Sequence, residues 1–226
     1  MKKSILVMAV ALSAATVSAQ EDFKPEAGKV SIEVGFNPLS VSNEVITLPG
    51  QSLKVYYSLS EQLSVRLGLG FNNDGTTFNA GDGTPEATTS KTTFSIAPGA
   101  TYSLWETGKL IPYVGAEIVF ASTSNEKVEG DVTVTNDVDR DAGQQFQQDG
   151  ILTTDVPVTR FGVNVFTGFN YYVAKNLYIG AEVALGYVSN SLKTTERTGS
   201  EASKSESSMS NFGISATPSL RLGWTF

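Results

Sequence analysis

After the first twenty or so residues, the hydrophobic positions recur with a period of two rather than 3.6. Eight segments show this alternation, and each is expected to be a β-strand with one apolar and one polar face. They are about 28–36, 51–59, 63–71, 92–104, 110–121, 158–173, 177–189 and 211–226. The third is the cleanest, with Leu63, Val65, Leu67, Leu69 and Phe71 set against Ser64, Arg66, Gly68 and Gly70. Connections alternate in length. Residues 60–62, 105–109 and 174–176 are short, whereas 37–50, 72–91, 122–157 and 190–210 are long. Antiparallel strands joined by short turns at one end and long loops at the other predict an up-and-down barrel. In an outer membrane the turns face the periplasm and the loops face outward. Each segment is near or above the 9–11 residues, roughly, that a tilted strand needs to cross the bilayer. Lipid cannot satisfy a free sheet edge, so the first and eighth strands are expected to close the ring. The fold class expected is therefore an all-β, eight-stranded antiparallel transmembrane barrel.

The aromatics sort by depth. Phe36, Phe71, Phe94, Phe120, Phe161, Tyr187 and Phe212 fall near the loop ends of the apolar faces. Tyr57, Tyr102, Phe169, Tyr171, Trp224 and Phe226 fall near the turn ends. Two girdles around an aliphatic belt are what membrane interfaces select, and a soluble sandwich has no reason to sort its aromatics this way. Pro98, Pro112 and Pro218 lie inside or near strands, where a ladder N–H is lost, so local bulges are expected there.

The opposite face is small and polar, which suits a narrow interior. It carries Glu33, Lys54, Arg66, Glu117, Glu182 and Arg221 near mid-depth, three acids and three bases. An interior salt-bridge network is expected, because each charge removed from water needs a partner. Tyr56, Tyr113, Phe166, Tyr172 and Tyr178 face the same way and fill more of a lumen that is about one side chain wide. A water-filled pore is not expected.

The amino terminus reads as an address. Lys2 and Lys3 precede an apolar run from Ile5 to Ala15, and Val17-Ser18-Ala19 suits a signal-peptide cleavage site. Residues 1–19 are expected to be removed, leaving 20–226 as one barrel domain of 226 − 19 = 207 residues. Its charge is 14 basic minus 23 acidic residues, or −9, since Lys2 and Lys3 leave with the signal. An acidic exported chain is a poor nucleic-acid binder. The long connections hold this charge: −6 in 122–157, −2 in 72–91, −1 in 37–50 and zero in 190–210.

At this point the chain resembles the small outer-membrane β-barrels of the OmpA transmembrane-domain and OmpX type. The resemblance rests on the signal peptide, the short-turn and long-loop pattern, the segment from Phe94 to Tyr102, and the terminus Leu220-Arg-Leu-Gly-Trp-Thr-Phe226. It implies that Leu220, Leu222, Trp224 and Phe226 form the signal read by the barrel assembly machinery. It also implies a monomer in contact with outer-membrane lipid and lipopolysaccharide. In one departure from the family the chain stops at the last strand, so no peptidoglycan-binding domain is expected to follow.

Candidate chemistry is sparse. The chain has no Cys and no His. Barrel enzymes of the acylase, deacylase and protease families depend on His, so no catalysis is expected, and no cofactor. The run Asp137-Val-Asp-Arg-Asp141 places oxygen ligands at alternate positions, as a hard cation prefers. Ala142 and Gln148 stand where a calcium loop needs Gly and Glu, so no metal site is expected. The function expected is a structural or surface-interaction role through acidic outer loops, which also offer a site for a protein partner. The alternative is a narrow channel for small or apolar solutes.

Overall fold

The computed structural model describes residues 26–36, 53–78, 86–105, 108–136, 157–199, 203–205 and 210–226, with side chains left out of account over 203–205 and 210–218 and at Phe36. The signal segment, the 37–50 connection and the Asp137–Asp141 run lie outside the described residues.

Eight strands form a ring. They are β1 (Val30–Phe36), β2 (Leu53–Ser58), β3 (Leu63–Phe78), β4 (Ala87–Ser103), β5 (Leu110–Glu129), β7 (Val158–Ala174), β8 (Leu177–Leu192) and β11 (Ser210–Thr225). Each pairs antiparallel with its neighbour in that order, β5 joining β7 and β8 joining β11. The ring closes between first and last, where Val34 stands opposite Leu222 and Ile32 opposite Trp224. Among the described residues there is no helix.

The alternation decides which face goes where. On the outside, Val65, Leu67, Val114, Ile118, Val163, Ile179, Val183 and Leu185 are each more than a third exposed. On the inside, Glu33, Lys54, Arg66, Glu117, Glu182 and Arg221 are all buried. This is a soluble protein turned inside out, and it is stable only because lipid covers the outside.

Three corrections to the sequence reading follow from the ladders. First, several strands run higher than the apolar pattern marks: β3 continues to Phe78, β4 begins at Ala87, and β5 continues to Glu129. At about 3.3 Å per residue the 20 residues of β5 extend well past a hydrocarbon core of about 30 Å. Second, the connections 122–157 and 190–210 contain strands of their own: β6 (Val132–Thr135), β9 (Thr195–Thr198) and β10 (Ser203–Ser205). They extend the wall above the membrane in the order β5, β6, β9, β10. Third, the prolines cause no register shift. The β3–β4 ladder runs unbroken through Leu67↔Pro98, β5–β7 through Pro112↔Phe169, and β8–β11 through Pro218↔Val183. Between β4 and β5 the pairing only skips Ala97 and Pro98, resuming in the same register at Gly99↔Glu117. A strand residue directs its N–H to one neighbour only, so Pro98 costs local bonding toward β5 and leaves β3 untouched. Within the β7–β8 ladder the register shifts instead between Tyr172 and Ala174, beside the 175–176 turn.

The outer face records the height of the membrane. Phe71 stands opposite Phe94, and Phe120 opposite Phe161, with ring centroids 5.3 Å apart in the second pair. Toward the turn ends, Tyr102 lies opposite Leu63 and Val114, and Tyr171 opposite Leu110 and Ile179. Tyr57, Tyr102, Phe169, Tyr171 and Tyr187 are all exposed on the barrel's outside, and Trp224 is half-buried. Beyond the phenylalanines the outward positions become polar at once. Phe94 is followed upward by Thr92, Ser90 and Thr88, and Phe120 by Ser122, Ser124 and Glu126. That change of chemistry marks where strand leaves lipid for headgroup and water. The side chains of Phe36 and Phe212 are outside the description.

Candidate functional site

The interior is layered along the barrel axis. At the turn end a cavity of about 40 Å³ is lined by hydroxyls, among them Ser31, Ser58, Ser64, Thr101 and Ser103. Its inner end meets Tyr56, Tyr178 and Arg221. There the charged layer begins.

The six lumen charges come from six different strands, and the register brings them together. Arg66 spans two carboxylates, donating from Nη1 to Glu182 at 2.8 Å and from Nη2 to Glu117 at 2.6 Å. Lys54 donates to the other oxygen of Glu182 at 2.9 Å. Arg221 donates to Glu33 at 2.8 Å and approaches Glu182 to 3.9 Å, so the two groups of pairs join into one cluster. Glu33 is fully buried and Arg221 is 2% exposed, so these charges have traded water for each other entirely. In such surroundings an unmatched charge costs several kcal/mol, roughly. Three positive and three negative groups leave the cluster neutral.

Neutral donors fill the remaining lone pairs. The hydroxyls of Tyr56 and Tyr178 donate to the two oxygens of Glu33, each at 3.1 Å. Tyr113 donates to Glu182 at 2.7 Å, and Asn164 to Glu117 at 2.8 Å. Arg221 also donates to the Phe169 carbonyl and to Asn170 Oδ1. Nε of Arg66 and of Arg221 meets no acceptor, so the cluster is not fully satisfied. The guanidinium of Arg66 lies 3.4 Å from the centre of the Phe166 ring, which fills the lumen beside the charges. Higher still, Arg160 donates to Asn190 at 3.1 Å.

Glycines on the inner face make room for this filling. A Cβ on Gly115 would strike the Phe166 ring, and one on Gly223 would strike the ring of Tyr178. Both aromatics occupy the space over the bare backbone of a neighbouring strand.

Sequence reasoning named all six charges and the five inward aromatics. It did not name Asn164, Asn170 or the Arg160–Asn190 pair as members of the network. Their signal was positional: each occupies an inward step of its strand, in line with the residues already picked. The assembly residues Leu220 and Leu222 face outward on β11, and the Phe226 N–H donates to the Val30 carbonyl at 2.8 Å.

A closed ring with a charged, packed interior and an apolar exterior girdled by aromatics defines an eight-stranded outer-membrane β-barrel. The chain belongs to the family described as "Putative OmpA-OmpF-like porin family", whose model matches residues 84–226. It is located in the outer membrane. Solved structures with a similar course include the N-terminal β-barrel domain of OprF from Pseudomonas aeruginosa, at 13% identity over 89% of this chain and 100% of that one, TM-score 0.39. OprG from the same organism is 12% identical over 91% of this chain and 99% of that one, TM-score 0.48. Ail, the attachment invasion locus protein of Yersinia pestis, is 11% identical over 88% and 99%, TM-score 0.41. No curated protein sequence matches the chain.

Proposed function

We propose that the protein is an integral outer-membrane barrel whose interior is plugged by its own side chains, and that it serves a structural or surface-interaction role through acidic outer loops. The observation that carries the reading is the neutral ionic cluster across mid-lumen, backed by Phe166, Tyr113 and Tyr178. Opening a continuous water path would break at least the Arg66 and Arg221 pairs together. The sequence supplies the second half: the outer connections hold the net charge, and loops on a rigid scaffold are where binding usually resides. Electrostatic complementarity then favours a basic patch on a neighbouring protein. The reading involves no catalysis, cofactor or nucleic acid. It has a monomer in lipid and lipopolysaccharide, delivered by the assembly machinery after residues 1–19 are removed, with Leu220, Leu222, Trp224 and Phe226 as the recognised terminus.

Planar bilayers holding the purified protein test the plug. The expected result is no large, stable conductance; steady large channels would overturn it. The contact half is tested with protein in liposomes and a lysine-rich polypeptide as probe. Salt-sensitive binding is expected, and its absence at low salt would overturn that half. The second reading, a narrow channel for small or apolar solutes, draws support from the porin description of the family and from the cavity at the turn end. Small, brief conductance steps would favour it.

A further inference from the structure

The cavity at the turn end is lined from every strand of the ring, and its two walls differ in chemistry. On one wall Ser58, Ser64 and Thr101 stand directly opposite one another across β2, β3 and β4. Cross-strand neighbours lie about 5 Å apart, so these residues set a row of hydroxyls along one rung of the barrel. They hold one another only loosely. Ser64 Oγ donates to Ser58 Oγ at 3.3 Å, and Thr101 Oγ1 to the Ser64 carbonyl at 3.5 Å. Bonds of that length leave capacity for a closer partner.

Across the ring, β7 and β8 present carbon. Tyr172 stands opposite Tyr178, with ring centroids 5.4 Å apart and planes tilted by 48°, and both rings are buried. The phenol groups of Tyr56, Tyr113 and Tyr178 donate to Glu33 and Glu182. Their hydroxyls are committed to the charged layer, so what they offer the cavity is ring. At the floor lies Arg221, 2% exposed and matched by Glu33 at 2.8 Å. Its Nε meets no acceptor among the described residues. None of the described residues that line the cavity is a carboxylate.

These features define what fits. An ion gains little, since the one charge at the floor is already neutralised and dehydrating an ion costs several kcal/mol, roughly. A wholly apolar molecule would strand the hydroxyl row and the Arg221 N–H without partners. A neutral molecule with hydroxyls along one side and C–H along the other satisfies both walls at once. The volume of about 40 Å³ corresponds to roughly three waters, which sets a limit near a three-carbon chain. We propose that the turn-end cavity is a binding cup for a small neutral polyol of the size of glycerol, entered from the periplasm and closed at its inner end by the charged cluster. The binding half stands on the lining alone. The dead end rests on the plugged interior proposed above.

The chain has no Cys, so single Ser64→Cys and Thr101→Cys variants report on the cup without background. Lys29→Cys, on an exposed residue outside the cavity, is the control. Each is folded in lipid nanodiscs, checked by the heat-modifiable gel shift, and labelled with a small methanethiosulfonate reagent in rising glycerol. Both cup thiols are expected to react, and glycerol to slow them several-fold and saturably while Lys29→Cys is unchanged. Propan-1-ol, the same length with a single hydroxyl, is expected to protect far less. Unreactive cup thiols, reaction without protection (water only in the cup), equal slowing at Lys29→Cys, or equal protection by propan-1-ol would each overturn the polyol site. Saturation-transfer NMR on the unmodified protein needs no variant: transfer to glycerol above that to propan-1-ol is expected, and its absence overturns the site. Glycerol entry into liposomes separates the two halves. Entry no faster than in protein-free vesicles is expected. Faster entry with protection intact overturns the dead end and the plug, and leaves the binding site standing.

Discussion

Arg66 is the residue whose loss the structure prices most clearly. Its guanidinium is buried, pairs with Glu117 at 2.6 Å and Glu182 at 2.8 Å, and covers the Phe166 ring. Arg66→Ala leaves Glu182 with Lys54 and Tyr113, but Glu117, among the described residues, with only Asn164. The cluster passes from neutral to one excess negative charge. Removing one partner of a buried pair costs about 3–5 kcal/mol, most of it the stranded charge. The lost cation–π contact lies within that range and is not added to it, since neighbouring contributions overlap. At about 1.4 kcal/mol per decade, the folding equilibrium falls by roughly two to three and a half powers of ten. Urea titration in lipid vesicles, scored by the heat-modifiable gel shift, measures this directly. Adding Glu117→Gln to Arg66→Met removes the stranded charge and keeps the volume, so the double variant is expected to regain at least half of the loss. A cost below about 1 kcal/mol for Arg66→Ala, or a double variant no better than the single, would show that water enters and solvates Glu117 freely. The plug would then not be dry.

Other expectations follow from single contacts. Gly223→Val sets a branched side chain against the Tyr178 ring and is expected to cost about 1–3 kcal/mol by overpacking, read by the same titration; an unchanged midpoint would mean the ring moves aside. Asn136→Val forces a branched residue into the left-handed region at 55° and is expected to cost about 1–2 kcal/mol, with Asn136→Gly costing less; the reverse order would refute the strain argument. Burial at the strand end lowers the Lys193 amine below the ordinary lysine value of 10.5. Between its folded value and 10.5 the unfolded chain holds more protons, so this group makes stability rise with pH through that window. Limited acylation at stepped pH with peptide mapping should find Lys193 reacting at lower pH in the folded protein than in the urea-unfolded chain, and identical profiles would contradict it.

The parts of the fold legible in the sequence were those that lipid dictates. Val65, Leu67 and Leu69 alternate with Arg66, Gly68 and Gly70 because one side meets hydrocarbon and the other a lumen. Above Phe71, Phe94 and Phe120 both faces meet water. There Thr88, Thr89, Ser90, Ser122 and Ser124 carry no alternation, and the upper strands left no trace in the pattern. The same reasoning hid β6: Val132-Thr-Val-Thr135 is four residues of strand inside an acidic connection. That β6 and β7 share one edge of β5 is a fact about β5, which no local reading of either segment contains. In the lumen, parity along each strand selected Glu33, Lys54, Arg66, Glu117, Glu182 and Arg221. Which acid meets which base was not legible, since Lys54 finds Glu182 and not its ladder neighbour Glu33 only because of lengths and angles across the lumen.

The closing ladder sets the order in which the molecule can come into being. Ser31 and Thr225 share a hydrogen bond across 194 positions of sequence, and Val30 binds the backbone of Phe226. Until the last strand is made, β1 has no outer neighbour, and every shorter product presents two raw edges that hydrocarbon cannot solvate. No fragment of the growing chain is fit for the membrane. Export and insertion are therefore separated in time by the architecture itself, and the interval between them is one in which the whole chain must be kept from pairing with its own kind.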